Sequence, residues 1–380
     1  MKTRKIKLYV NDEAEKYFQR AFGISRKLMN RAIIETIEYR KVHHERPGSY
    51  YIDGILRQMI KDQPDSGFRW IAENMVSSQI IQPITAKVYL AFKAAVKANG
   101  RGANAHLKRR DDPQQSFTVS CSPSSMFKIE GEMTFSISGS KKDGRIMCRT
   151  AESLTFLKDA DLKQYTISRQ AGEYYLCINY EKPNHDSKPE LKGKLGQDLG
   201  VVKSVCSYDG QDFSEYSFNT KRSMKYDRLA KKSNSKLANM TRGSNRYNKE
   251  LLKMQKRAAK AARIRKEEVE KATTYIANTY EEVMIDKFSF KSAVKVASGE
   301  KAYRCMKYMY CKRLEDKAAK TGCKISYVQH QKGIKTTHKC SDCGSEHVHL
   351  NSKRQFHCLD CGYTDDRDRN AARNAYNIIA

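Results

Sequence analysis

The sequence predicts a multidomain α+β protein: a small β domain carrying a helical insertion, then an α/β domain interrupted by a metal-built module. Three observations carry that prediction. Residues 116 to 182 alternate apolar and polar side chains, with turn signals about every ten residues, as strands of a small β domain do. Two earlier stretches, about Asp12 to Arg46 and Ile71 to Val96, carry the apolar period of amphipathic helices. Near the C-terminus, Cys340-Ser-Asp-Cys343 and Cys358-Leu-Asp-Cys361 are separated by 14 residues, the spacing of a four-thiolate zinc site.

Taken in order, Arg4 to Val10 alternates basic and apolar residues and predicts a short half-buried strand. The first helix follows, with Ala14, Tyr17, Phe18, Ala21, Phe22, Leu28, Ala32 and Ile33 as its apolar stripe. In the second helical block, Pro83 predicts a kink or a split. Trp70, at the start of that block, fits core packing, with base stacking as the alternative. Asn99-Gly-Arg-Gly-Ala-Asn104 breaks the helical pattern. The strands after it include Phe117-Thr-Val-Ser, Met133-Thr-Phe-Ser-Ile and Tyr174-Tyr-Leu-Cys-Ile-Asn-Tyr. A polar, proline-bearing stretch from Lys182 to Pro189 marks a domain boundary.

Charge narrows the function. The 380 residues hold 72 Lys and Arg against 43 Asp and Glu, a net charge of +29. That excess repels itself unless a polyanion balances it, so nucleic acid is the expected partner. Residues 221–266 are the extreme case, with 17 basic residues against Asp227 and Glu250. Leu252, Ala259, Ala262, Val269 and Ile276 fall on one helical face there, predicting a long helix with a cationic side. No apolar run reaches the roughly 18 residues of a membrane span. The N-terminus has no stretch resembling a signal peptide. Of eleven cysteines, seven (Cys121, Cys148, Cys177, Cys206, Cys305, Cys311, Cys323) lie scattered outside the pairs. Scattered thiols point to a reducing, cytoplasmic setting.

Three carboxylates stand out by their order. Asp198 lies in Lys194-Leu-Gly-Gln-Asp198-Leu-Gly, a strand and turn in which Gly196 and Gly200 would let a ligand approach the backbone. Asp286 ends the buried-strand pattern Glu282-Val-Met-Ile-Asp286. Asp368 lies in Asp366-Arg-Asp368-Arg-Asn370-Ala-Ala, a helix start, where capping alone also favours Asp. Strand carboxylate, strand-end carboxylate and helix-start carboxylate, separated by long insertions, form the plan of an RNase H-like nuclease. Phosphodiester cleavage by two Mg2+ ions about 4 Å apart requires such converging hard oxygen ligands. The four cysteines make a closed structural zinc site with no open position. His357 is the substitute should one thiolate not bind; His347 and His349 are neighbours of the knuckles.

These residues together resemble TnpB, the transposon-encoded OrfB family related to compact type V CRISPR effectors. The resemblance covers nearly the whole chain. Lys5-Ile-Lys-Leu-Tyr9 and Ala21-Phe-Gly-Ile-Ser-Arg26, with Asn30, look like the family's first strand and recognition helices. Gly-Gln-Asp198-Leu-Gly-Val resembles the first RuvC motif, and Val283-Met-Ile-Asp286-Lys-Phe the second. Gly243-Ser-Asn-Arg-Tyr247 resembles the insertion in the basic arm. Thr337-His-Lys-Cys340 through Cys361-Gly-Tyr resembles the zinc ribbon. Asp366-Arg-Asp368-Arg-Asn370 resembles the third RuvC motif.

The resemblance implies an RNA-guided DNA endonuclease. A guide RNA pairs with one strand of double-stranded target DNA beside a short flanking motif, and one RuvC centre cuts. Asp198, Asp286 and Asp368 would hold two Mg2+ ions, and Cys340, Cys343, Cys358 and Cys361 one Zn2+. The setting is a prokaryotic cytoplasm, on the nucleoid when DNA is bound, with no membrane partner. The implied architecture is a wedge β-barrel at 1–10 and 111–185, and a helical recognition lobe at 11–110. A RuvC domain at 186–334 and 363–380 carries a basic helical arm at about 221–278. The zinc ribbon occupies 335–362. The family usually places Glu where Asp286 stands, and an apolar residue where Gln197 stands. Asp286 sets its carboxylate one methylene back, and Glu282 lies about 13 Å away along the strand. A nuclease-deficient RNA-guided DNA-binding repressor is the alternative function. A CRISPR effector with a repeat-derived guide is another.

Overall fold

The structure, a computed structural model, describes the chain except residues 101, 123, 141, 183–187, 202, 287–305, 329–335 and 351–353. Most of the expected linker at Lys182–Pro189, the boundary expected at 334 and 335, the end of the second carboxylate motif and Cys305 therefore lie outside the described residues. The chain forms two compact units, Met1–Asn184 and His185–Ala380.

The first unit joins a seven-stranded antiparallel sheet to four helices. Its strands are β1 (Lys2–Tyr9), β2 (Gln114–Ser120), β3 (Phe127–Gly131), β4 (Thr134–Ser138), β5 (Arg145–Thr150), β6 (Asp161–Gln170) and β7 (Glu173–Glu181). Their order is β2-β6-β7-β1-β5-β4-β3, so the first strand of the chain sits mid-sheet, between β7 and β5. The β6–β7 hairpin turns through Ala171 and Gly172, both at positive φ (51° and 77°), the geometry that matches strand twist. Helix α1 (Asp12–His43) starts where the Asn11 side chain accepts the Ala14 N–H at 2.9 Å. Acids fill its first turn and bases its last, as the helix dipole favours. Its buried stripe meets the sheet through Phe18 and Phe22, which pack on Phe117 at 5.9 and 5.7 Å between ring centres.

Two helical expectations change here. A further helix, α2 (Ser49–Asp62), follows Pro47-Gly48, a segment left unassigned by periodicity. The second block divides into α3 (Ser66–Asn74) and α4 (Ile81–Asn99), and Pro83 lies in the first turn of α4, where a missing N–H costs nothing. Trp70 is half-buried against the core, with the Lys27 ammonium 4.3 Å above its ring.

The second unit is built on a five-stranded sheet of order β10-β9-β8-β11-β12. These are β8 (Lys194–Asp198), β9 (Val205–Tyr208), β10 (Phe213–Tyr216), β11 (Glu282–Asp286) and β12 (Lys324–Tyr327). β8, β11 and β12 run parallel; β9 runs antiparallel to β8, and β10 antiparallel to β9. Between β10 and β11 the basic segment folds as a hairpin of α5 (Lys221–Ala238) and α6 (Asn245–Thr279). Arg265, buried within it, pairs with Asp227 at 2.8 Å. The buried stripe of α6 runs through Ala261, Ile264, Val269, Ala272 and Ile276. Ala262, expected on that stripe, is exposed instead. Helix α7 (Lys307–Thr321) covers one face of the sheet. The three-stranded sheet β13 (Val348–Leu350), β14 (Gln355–Cys358) and β15 (Thr364–Asp366) leads into the last helix, α8 (Arg367–Asn377).

Candidate active site and metal centre

Register brings the first two carboxylates together. β8 and β11 pair in parallel, with Leu195 opposite Val283 and Asp198 opposite Asp286. Both aspartates thus end neighbouring strands on the same edge, the carboxyl edge where open α/β sheets place their ligands. Gln197, one residue before, is fully buried yet satisfied. Its amide donates to Ser207 Oγ at 2.9 Å and its carbonyl oxygen accepts from Tyr310 OH at 2.9 Å. A polar residue at that position is accommodated by two partners the apolar alternative would not need.

The third carboxylate arrives on α8. The Asp366 side chain caps the helix by accepting the Asp368 N–H at 2.8 Å, so Asp366 takes the capping role and leaves Asp368 in the first turn. The helix reaches the sheet because Gly196 has no side chain. A Cβ there would lie 2.6 Å from Tyr376 Cα, and closer still to Tyr376 N and Ala372 O. The close approach expected at Gly196 is real, but the backbone of α8 makes it, not a ligand. At Gly200 the space is taken by the Lys203 carbonyl at 2.6 Å, with Asp368 Oδ2 at 3.6 Å.

Electrostatics register the convergence. Burial, then the charges of Asp368 and Asp286, push the Asp198 carboxyl up to about 7, and Lys307 and Arg367 offset only part of this. Asp286 and Asp368 are 5% and 3% exposed. Thr336 Oγ1 donates to Asp286, and the Arg354 guanidinium pairs with Asp368. Arg367 Nε lies 3.6 Å from the other Asp368 oxygen. Three acids repelling one another, two of them buried and Asp198 half-buried, suit a divalent cation, which turns their repulsion into attraction. Among the described residues, the aspartates do not form a set whose oxygens all lie within 4.8 Å of one another.

The four cysteines do form such a set, with all sulfurs within 4.8 Å. Cys340 and Cys361 Sγ are 3.7 Å apart, and Cys343 and Cys358 Sγ 3.6 Å. Tetrahedral bonds of about 2.3 Å to zinc require sulfurs about 3.8 Å apart, so the thiols fit the ion. Each knuckle closes the same way. Gly344 and Gly362 take positive φ and donate to the Cys340 and Cys358 carbonyls, at 3.0 and 3.1 Å. Backbone N–H groups of Cys361 and Asp360 help draw the Cys358 thiol down to about 7. His357 lies apart from the set, its Nδ1 2.9 Å from Thr364 Oγ1, and His347 Nδ1 is 3.1 Å from Asp360. His349 stands opposite His357 in the β13–β14 ladder.

Sequence reasoning missed what joins the two centres. Asn370, Asn374 and Asn377 share one face of α8 and bond the backbone leading into the first knuckle. Asn370 accepts the Ser341 N–H at 2.9 Å and donates to the Lys339 carbonyl at 2.8 Å. Asn374 donates to the Thr336 and Lys339 carbonyls, both at 2.7 Å, and Asn377 to the Ser341 carbonyl at 3.1 Å. The spacing of four and then three residues is a helical face, which is the one signal available in the sequence. Arg354, from the segment entering β14, was likewise not singled out.

Two stretches of the chain match known families. Residues 176–297 match the family described as OrfB_IS605, probable transposase, and residues 308–375 the Cas12f1-like TNB domain. A protein of Escherichia coli K12 named putative RNA-guided DNA endonuclease InsQ is 25% identical over 227 residues. That alignment spans 56% of this chain and 56% of the relative, little more than half of either. The fold is similar to Cas12f1 in its complex with sgRNA and target DNA (TM-score 0.59, 15% identity, covering 97% of this chain and 84% of that one). It is also similar to the mini-RNA-guided endonuclease CRISPR-Cas_phi3 (TM-score 0.53, 10% identity, covering 100% and 92%). Among the described residues, no helix is long and apolar enough to cross a membrane. Through the segments that hold its carboxylate edge and its four-thiol ribbon, the chain is similar to TnpB-like proteins, and its fold is similar to the compact type V effectors.

Proposed function

We propose that the chain is an RNA-guided DNA endonuclease that cuts double-stranded target DNA beside a short flanking motif, through a single RuvC site. The observation that carries the reading is the pairing of Asp198 with Asp286 at the carboxyl ends of parallel strands, with Asp368 brought against them by α8. The E. coli relative is named as an RNA-guided DNA endonuclease, and the neighbouring Cas12f1 fold was seen on guide RNA and target DNA. Asp198, Asp286 and Asp368 would hold two Mg2+ ions, which supply Lewis acidity and an ionised water for phosphodiester hydrolysis.

The chain's own groups set the conditions for that chemistry. Three carboxylates offer hard oxygens on one edge of the sheet. Thr336 orients one Asp286 oxygen, and the asparagine face of α8 fixes the segment that carries Thr336. Arg354 balances Asp368, so an incoming cation competes with a guanidinium there. Zn2+ on the four thiols would close the ribbon and supply no reactive position. The cationic α5–α6 hairpin and the net charge of +29 suit neutralisation of guide and target backbones. Base pairing with the guide would choose the sequence.

The test is cleavage of a supercoiled plasmid carrying candidate flanking motifs, with the natural flanking RNA co-expressed and Mg2+ present. Cutting by the natural protein, lost in Asp368→Ala with target binding retained, is expected. Binding without cutting by the natural protein would overturn the nuclease reading. A second reading rests on Asp286, whose short carboxylate is buried and bonded to Thr336. If Asp286→Glu creates cutting the natural chain lacks, the protein is an RNA-guided DNA-binding repressor. Sequencing of co-purified RNA decides between a transposon-end guide and a CRISPR repeat.

A further inference from the structure

A cavity of about 700 Å³ opens in the first unit between α1, α4 and the segment leading to β2. Small side chains keep it open. Ala91, Ala94 and Ala95 lie on one face of α4, opposite Met29 and Ile33 of α1, where larger residues would have closed the gap. The outer wall is held in place. Asn30 of α1 brackets Lys108, donating to its carbonyl at 2.9 Å and accepting its N–H at 2.7 Å. Arg40 of α1 holds the Ala103 carbonyl at 3.1 Å and the Asn104 side chain at 2.6 Å. The rim is cationic, with Arg26, Lys87, Lys108 and Arg109 against one acid, Asp112, which accepts the Arg109 N–H at 2.9 Å.

We propose that this cavity is a nucleotide pocket, taking one unstacked base of a single-stranded nucleic acid between α1 and α4, with its phosphate on the Arg26, Lys87 and Arg109 rim. A base presents flat apolar faces, which the alanines and Met29 match, and a polar edge, for which Gln114 and Gln115 lie on the wall. Its volume lies in the range of small-ligand sites. Lys87 is well suited to the phosphate. It is half-buried, donates to Thr118 Oγ1 at 2.5 Å, and burial lowers its affinity for a proton, so an added anion would stabilise its charge. The proposal rests on the reading of the chain as a nucleic-acid binder and is independent of cleavage.

The test fills the pocket without changing charge. Ala91 and Ala94 are exposed helical positions, so Ala91→Phe and Ala94→Phe leave the core untouched. Binding of the full chain to single-stranded RNA and DNA oligonucleotides of about ten nucleotides is measured across a salt series without Mg2+. Heparin serves as a polyanion without bases, and thermal melting reports folding. Both variants are expected to bind at least one oligonucleotide about tenfold more weakly, with an unchanged salt slope and unchanged heparin affinity. Lys87→Met is expected to reduce the slope by about one. Loss on RNA alone identifies the guide as the source of the base; loss on DNA alone identifies the target. Filled variants that bind oligonucleotides as the natural protein does overturn the pocket, as does an equal loss on heparin. No oligonucleotide binding by the natural protein at low salt would instead overturn the nucleic-acid reading itself.

Discussion

Replacing Gly196 by Ala tests the geometry on which the proposed active site depends. The added Cβ would sit 2.6 Å from Tyr376 Cα, and closer to two backbone polar atoms of α8. Carbon atoms in contact prefer about 3.5–4.0 Å, so the overlap is about 1 Å. Neither partner is a flexible side chain that could swing aside. Relief therefore requires moving α8 away from β8, and Asp368 moves with it. Overpacking of this kind costs about 1–3 kcal/mol, and a displacement near 1 Å at a reacting centre costs about 100-fold in rate. Gly196→Ala should lower the melting temperature and reduce plasmid cleavage about 100-fold. Zinc content should be retained, because none of the four thiols lies on β8 or α8. The assays are thermal denaturation, single-turnover cleavage and zinc release by a thiol-reactive reagent. A variant with unchanged melting and unchanged cleavage would refute the argument that α8 positions Asp368 through this contact.

Three further outcomes follow from the same site. Asp198 holds a proton up to about pH 7 in the folded state and only to about 4 when unfolded, so stability should fall as pH rises between those values, by a few kcal/mol at most. Melting curves at pH 5 and pH 8 without added Mg2+ should show that loss, and Asp198→Asn should flatten it. Cys358→Ser removes one of four thiols and should abolish stoichiometric zinc, read by metal analysis of the purified protein. Asn374→Ala strips the Thr336 carbonyl of its shorter side-chain bond and should cost about 1–3 kcal/mol in denaturant unfolding, more than Asn377→Ala, whose single bond is longer.

Much of the helical and strand pattern was legible because burial imposes a period. The stripe Ala14, Tyr17, Phe18, Ala21 and Phe22 reads as α1 because one face must leave water. Glu282 to Asp286 reads as a buried strand, and it is one. α2 escaped because its buried residues reduce to Ile52 and Leu56, too few to stand out from a polar background. Ala262 was misplaced because alanine fits the buried and the exposed side of a helix equally well.

By itself the sequence determined the chemistry on offer: paired thiols at zinc spacing, three ordered carboxylates, and a cationic excess that calls for a polyanion. Only the tertiary structure decided where those groups meet. Parallel register set Asp198 beside Asp286, and the bare backbone at Gly196 admitted the helix that carries Asp368. Asn370, Asn374 and Asn377 tie the ribbon to that helix through carbonyls of residues 336–341. Every residue owns a carbonyl, so nothing in the order of side chains marks which ones will be bound. Folding selects them by bringing distant backbone to the asparagine face.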